Sequence, residues 1–458
     1  MKPRVIVCLS QAFHIRNVIY SDFFAALRAD FEVTLLVPEG FVPPPEAAEL
    51  VAGCAQDTVT YTPHPREGQL LFLRKNVFAG RDRTQSFNLI TEQERAAKPG
   101  LYAVASLVNA VVGRIPGLGR LWRAFESRVI PAHEFDRLFE GRGVDVVITA
   151  NYGTEPTESR LIRAARRAGV PSIALVPSWD NLTSKGVIGA MPDHLVVWNE
   201  TMRDEALFLY DFDPEQVHIC GALQFDHHLR AAKAAPTPVP YPIPNSAPVL
   251  LYATITPKYF RYNIEVIEEL LSEIEAGRLP ADIHIVVRLH PQVLYDPNFG
   301  DDLDGYHRLA AHPQVHLSVP EVSAWGPVTA PTISDFNELI SLLRRADAIL
   351  TPASTIAIDA AAVDTPMIGL GFDGHETLPF SRSVRRTFEF THYLSLMKHG
   401  AVEVAETPAA VSELFAAYRA DPARNASKRR AVVENLLTFT DGNAAGRVME
   451  IIRRIHTT

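Results

Sequence analysis

The stretch DAILTPASTIAIDAAAVDTPMIGLGF, residues 347–372, decides which kind of fold this chain can adopt. An apolar run ends at Thr351 and Pro352, an alanine-rich segment of helical character follows, and a second apolar run closes the stretch. Apolar runs separated by a helix read as neighbouring strands of a parallel sheet covered on both faces. Ser354 and Thr355 stand at the mouth of that helix. They either cap it or hold something negatively charged.

The same alternation runs outward along most of the chain. Strand candidates fall at 4–9, 31–37, 57–61, 144–149, 172–176, 194–198, 217–221, 249–254, 283–289, 315–319, 347–351 and 366–370, with amphipathic segments such as 157–169 and 262–276 between them. Residues 234–248, AAPTPVPYPIPNSAP, break the pattern. Proline has no N–H to donate, so this segment reads as a stiff, polyproline-like linker. The expected organisation is therefore two α/β domains, 1–233 and 249–458, with the last helix packing back on the first. Sheets of this kind bind ligands at the carboxyl ends of their strands, so a cleft between the domains is the expected site.

Composition narrows the class. The chain has 458 residues, 47% hydrophobic and 21% charged, with a net charge of -9. That charge gives a nucleic-acid partner no electrostatic support. Cys8, Cys54 and Cys220 form no CxxC pair and read as reduced and structural. No apolar run is long enough to span a bilayer, and the chain opens directly on a strand. The expected location is the cytosol.

Four loops of the second half carry chemistry suited to phosphate. In LLYATITPKYFRYN (250–263), Thr254, Thr256, Lys258 and Arg261 lie between a strand and a helix start. In IHIVVRLHPQ (283–292), His290 ends a strand at Pro291, and Arg288 shares its face. His290 would donate a hydrogen bond or a proton to a phosphate, or else be satisfied by neighbouring backbone. Ser354 and Thr355 form the third loop. In GLGFDGHETLPFSR (369–382), Asp373, His375 and Glu376 are placed to reach a ribose or sugar. No GxGxxG or Walker pattern is present. No second ligand cluster supports a metal, and the acidic GDDLDG (300–305) reads as a solvated turn.

Residues 99–128 interleave Arg114, Arg120, Arg123 and Arg128 with Leu121, Trp122 and Phe125. This suits docking on an anionic membrane surface, although the pattern favours a helical hairpin packed on the sheet.

In their order these motifs resemble the CDP-glycerol glycerophosphotransferase family and, more loosely, other GT-B glycosyltransferases, including bacterial CMP-sugar transferases. RLHP (288–291) resembles the family's RxHP strand end, and PASTIAID (352–359) its serine-rich helix start. YATITPKYFR (252–261) and DGNAAGR (441–447) resemble two further motifs. In the first half, WDNLTSK (179–185) is similar to the family's WHGTxxK loop, keeping Trp179 and Lys185. The runs within 192–226 resemble its next two strands. Asp180 stands where the family carries a histidine proposed as the acceptor's base.

The resemblance implies a GT-B-like fold of two Rossmann-like domains and a nucleotide-activated donor as substrate, with no cofactor or metal. Thr254, Lys258, Arg261, Arg288, His290, Ser354, Thr355 and Asp373 would bind that donor. A carboxylate at position 180 favours a sugar donor over CDP-glycerol and an Asp180 base, with Glu155 as the second candidate. An Asx-type turn is the bland role for Asp180. His14, Arg16, Trp179 and Lys185 would line the acceptor side, facing a glycan or lipid-linked sugar. Rival readings are a glycerophosphotransferase, a non-hydrolysing UDP-GlcNAc 2-epimerase, which PASTIA disfavours, and a non-catalytic glycan-binding protein.

Overall fold

The computed structural model describes residues 2–11, 14–58, 62–78, 84–113, 115, 117–295 and 303–457. Arg114, the end of the third expected strand (59–61) and residues 300–302 of the acidic turn lie outside the described residues. The chain divides into two units. Unit 1 comprises Met1–Asp226, Ser323–Ala330 and Asn443–Thr458, and unit 2 comprises His227–Val322 and Pro331–Gly442.

Unit 1 is built on seven parallel strands: β1 (Arg4–Cys8), β2 (Glu32–Val37), β3 (Ala55–Thr58), β4 (Val146–Thr149), β5 (Ser172–Leu175), β6 (His194–Val197) and β7 (Val217–Ile219). Their order is β3-β2-β1-β4-β5-β6-β7. Side chains of a strand alternate between faces. Val5 and Val7 of β1 accordingly enter one core, shared with Phe23 and Leu27 of helix Asp22–Asp30 and Val448 and Ile452 of helix Ala444–Thr457. Ile6 and Cys8 enter the opposite core with Leu161 and Ala165 of helix Pro156–Ala168. The carboxylate of Asp226 accepts hydrogen bonds from Ala444 N and Ala445 N, both at 2.9 Å, and so caps the last helix.

Unit 2 carries β8 (Val249–Ala253), β9 (His284–Arg288) and β10 (Val315–Ser318). After the hairpin strands β11 (Val322–Trp325) and β12 (Val328–Pro331) come β13 (Ala348–Thr351), β14 (Met367–Leu370) and β15 (Val402–Ala405). Six of these form a parallel sheet in the order β10-β9-β8-β13-β14-β15. β13 and β14 are the two apolar runs of the 347–372 stretch, paired Leu350 to Ile368 with helix Ile356–Ala362 crossing between them.

Two features depart from the sequence reading. β15, VEVA, is only four residues long and half-polar, too short to register as an apolar run. The β11–β12 hairpin, absent from the expected strands, belongs to unit 1 over Ser323–Ala330, where Trp325 is fully buried against Phe41 and Tyr20. Its turn requires Gly326: φ is +67°, and a Cβ there would lie 1.8 Å from the carbonyl oxygen of Gly40. Residues 234–248 form neither helix nor strand, and they lie along unit 2. Arg344 donates to Ala234 O at 2.8 Å and Arg345 to Ala247 O at 2.7 Å, both from helix Ile333–Arg345.

Candidate functional site

In an open parallel sheet, the loops that leave the carboxyl ends of the strands diverge where the strand order reverses, opening a crevice. In unit 2 that point lies between β8 and β13. The loop after β8 carries Thr254, Thr256, Lys258 and Arg261; the loop after β13 carries Ser354 and Thr355. Neighbouring β9 and β14 add His290 and Asp373. Topology thus brings all four phosphate-suited loops to one sheet edge.

The loop after β8 is held from below. Tyr252 donates through its hydroxyl to Asn263 Oδ1 at 2.8 Å, and Asn263 Nδ2 donates to Phe260 O at 3.2 Å, with both side chains buried. Thr254 Oγ1 accepts the N–H of His290 at 2.8 Å. Lys258 and Arg261 are exposed. The His290 ring accepts the Gln292 N–H at Nδ1, so the neutral ring carries its proton on Nε2. Burial lowers its pKa to about 4, so at neutral pH His290 is a hydrogen-bond donor rather than a cation.

Ser354 was open to two roles. Thr355, not Ser354, occupies the N-cap position of helix Ile356–Ala362, and its side chain makes no capping hydrogen bond. Ala357 N donates instead to the Ser354 carbonyl at 3.2 Å. Asp359, one turn further in, lies 2.9 Å from Nε2 of the fully buried His228.

Two expected donor-binding residues have structural partners. Arg288 is buried and donates to both carboxylate oxygens of Asp335 (2.8 and 2.7 Å) and to Ser318 Oγ (3.1 Å). It is a pillar under the loops, because a desolvated guanidinium needs its donors met. Asp373 is also buried, and its Oδ1 accepts the Val384 N–H at 2.7 Å. The next residue, Gly374 at φ +69°, lets this loop approach helix Asn263–Glu275, since a Cβ would fall 2.6 Å from Glu265 Cβ. His375 and Glu376 are exposed, and His375 Nε2 lies 3.6 Å from Glu268.

In unit 1 the order reverses between β1 and β4. His14 lies after β1, fully buried, and its Nδ1 accepts the Ser10 N–H at 3.1 Å. Burial pushes its pKa to about 3. Arg16 follows in a π-helical turn, Ile15–Ile19, and donates to Asn17 Oδ1 at 3.1 Å. Asn17 Nδ2 reaches Pro177 O, after β5, at 2.9 Å. After β4, Asn151 Oδ1 accepts from Gly153 N, Thr154 N and Thr154 Oγ1, shaping the turn that presents Glu155 at a helix start.

The WDNLTSK loop follows β5. Two buried tyrosines hold its backbone, Tyr152 donating to Asn181 O and Tyr210 to Leu182 O, each at 2.5 Å. Trp179 is buried, Lys185 is exposed, and Asp180 is half-buried with Oδ2 accepting the Ser184 hydroxyl at 2.8 Å.

Two acids escaped the sequence reading. Glu158 is fully buried beside His14 (3.9 Å) and accepts from the Ser10 hydroxyl; burial raises its pKa to about 7. Glu205, near Asp180, is raised to about 8, mainly by burial and then by that neighbouring charge. A signal for Glu158 existed. It lies on the helical stripe of Leu161, Ile162 and Ala165, three, four and seven residues on. Among the described residues no group of three or more His, Cys, Asp or Glu side chains is arranged to hold a metal.

The family model for CDP-glycerol:poly(glycerophosphate) glycerophosphotransferase matches residues 189–454. The chain belongs to that family. It is a nucleotide-dependent transferase. Among solved structures, this glycerophosphotransferase-family chain is similar to a Listeria monocytogenes protein assigned as a UDP-N-acetylglucosamine 2-epimerase. That pair shows 12% identity and a TM-score of 0.57, covering 99% of this chain and 96% of the other. It is also similar to a glycosyltransferase from Rickettsia africae (11% identity, TM-score 0.52, covering 99% and 98%). A third is the wall teichoic acid polymerase TagF soaked with CDPG (11%, TM-score 0.50, covering 100% and 90%). At such identities the likeness is one of fold, and the fold is the GT-B type with two parallel-sheet domains. No curated protein matches the chain.

Proposed function

We propose that this transferase moves a sugar from a CMP-sugar or another nucleotide sugar to a cell-surface glycan or lipid-linked acceptor, without a metal ion. The observation that carries the reading is Asp180, a half-buried carboxylate with one oxygen on Ser184, in the loop where the family has a histidine. As the acceptor hydroxyl attacks the donor carbon, its proton passes to Asp180, or to Glu155 as the second candidate. The bond to the nucleotide phosphate breaks, and its electron pair stays on the phosphate. His290 Nε2–H, Ser354 and Thr355 would meet that charge, with Lys258 and Arg261 assisting. His14, Arg16, Trp179 and Lys185 would serve the acceptor side. Residues 99–128 would rest on a membrane surface, where a lipid-linked acceptor is found.

A second reading, transfer of glycerol phosphate from CDP-glycerol, is favoured by the family match. Donor-turnover assays with CMP-sugars, UDP-sugars and CDP-glycerol separate the two. Turnover confined to CDP-glycerol moves the conclusion to the second reading, and a wild-type protein inert with every donor removes both. Asp180→Asn is expected to lower turnover about 10²–10⁴-fold, the usual weight of a general base.

A further inference from the structure

Residues 99–129 turn the usual surface pattern inside out. Helix Pro99–Val112 contains no charged residue, and its outward stripe is Leu101, Val104, Leu107, Val108 and Val111. Helix Leu118–Val129 buries Arg123 and Glu126 while exposing Leu121 and Phe125. Leu107 is 71% exposed and Leu121 68%. Of the fifteen exposed large apolar side chains among the described residues, eight lie between 101 and 125. Such a patch marks an interaction surface. No described helix is long and apolar enough to cross a membrane, so a membrane-bound helix here would lie in the surface plane.

A cavity of about 330 Å³ sits at this patch, lined in part by Phe78, Ile115, Arg120, Arg123, Phe208 and Asp211. Trp122 stacks on the lining residue Phe78, with ring centroids 4.2 Å apart. Arg123 is 9% exposed, and its Nη2 is buried without a hydrogen-bond partner among the described residues. Burying a charged donor unmet is costly, so such a group marks a place where an acceptor is welcome. Arg120 stands at the rim, exposed, and donates to Asp211 O at 3.2 Å. Its ion pair with Asp213 is long, 3.9 Å, and solvent-exposed. Two guanidinium groups against the single carboxylate of Asp211 leave the lining positive.

We propose that this cavity receives the phosphate headgroup of an anionic phospholipid while the apolar stripe of residues 101–125 lies at the acyl boundary of the bilayer. The proposal rests on the membrane-docking reading above and adds a built anion site to it. The planar fork of Arg123 supplies directed donors to the phosphate oxygens, Arg120 adds rim charge, and Leu107, Val111 and Leu121 supply the apolar contact.

Co-sedimentation of the full chain with phosphatidylcholine vesicles, with and without phosphatidylglycerol, tests this. Wild type is expected to prefer the anionic vesicles. Arg123→Gln should lose about fivefold in that binding, the weight of one basic residue near a charged surface. Its melting temperature should hold, because the variant removes a buried donor that has no partner at Nη2 while the amide keeps a polar group beside Asp211. Leu107→Glu with Val111→Glu should abolish binding to both vesicles. If Arg123→Gln binds anionic vesicles as wild type does, the headgroup site is overturned while docking stands. If wild type ignores both vesicles, docking fails and takes the site with it. Should the glutamine variant not fold, Arg123→Met replaces it, keeping the side chain's length without its charge; an unchanged affinity then overturns the site equally.

Discussion

The backbone N–H of His290 donates to Thr254 Oγ1 at 2.8 Å, so the loops that leave β9 and β8 are locked edge to edge. The lock fixes the histidine ring that the proposed mechanism places on the donor phosphate. Thr254→Val keeps the shape and removes the acceptor. About 1 kcal/mol of stability should be lost, as for a typical hydrogen bond. Nucleotide affinity should fall by more than that, measured by denaturant titration beside a thermal-shift series with CMP, CDP, UDP and GDP.

Ser354 makes the opposite prediction. Thr355, rather than Ser354, holds the N-cap position of helix Ile356–Ala362, and the Ser354 contribution to the helix runs through its carbonyl. Ser354→Ala should therefore stay within about 0.5 kcal/mol of wild type in stability. Donor binding should weaken clearly in the same thermal-shift series. A stability loss as large as the binding loss would return Ser354 to a structural role.

Arg288 and Asp335 should behave as a pair. Both are buried and joined by two short hydrogen bonds. Arg288→Met alone should cost about 3–5 kcal/mol by stranding the carboxylate. Arg288→Met with Asp335→Leu should recover much of that loss. The double-mutant cycle measured by urea unfolding reports the coupling directly.

Burial raises Glu158 to about 7 and Glu205 to about 8, against 4.5 for an ordinary glutamate. Between those values the folded chain keeps protons that the unfolded chain has lost. Their contribution to stability is thus full below about pH 4.5 and is lost as pH rises through 7 to 8. His14 and His290, lowered to about 3 and 4, act oppositely and penalise the folded state as pH falls below 6.5. Glu158→Gln should flatten the alkaline side by about 2 kcal/mol, read from urea midpoints at about pH 5 and about pH 8.

The parallel sheets were legible because runs such as IHIVVR and AILT are buried on both faces and read as unbroken apolar segments. The β11–β12 hairpin was not, since Trp325 and Gly326 matter only against Phe41 and Gly40, nearly three hundred positions earlier. At the candidate site, the sequence singled out four loops, which the topology gathers at the carboxyl ends of one sheet, but could not apportion labour within them. Arg288 and Asp373 read from sequence as donor-binding residues, and nothing local signals the partners they also have, Asp335 and the Val384 N–H. Partners distant in sequence leave no local trace. Glu158 did leave one, on an apolar helical stripe, and a stricter reading of periodicity would have found it.

The Asp226 cap on the last helix has a consequence for synthesis. Its carboxylate and Ala444 N are 218 positions apart, and the intervening residues are almost wholly unit 2. At ribosomal speeds of about 5–20 residues per second, roughly 10–40 s separate their emergence. During that interval the face of β1 that carries Val5 and Val7 has no Val448 or Ile452 to cover it. Unit 2 is finished first although unit 1 is begun first, so the nascent chain carries a half-clothed sheet that invites chaperones until its final helix arrives.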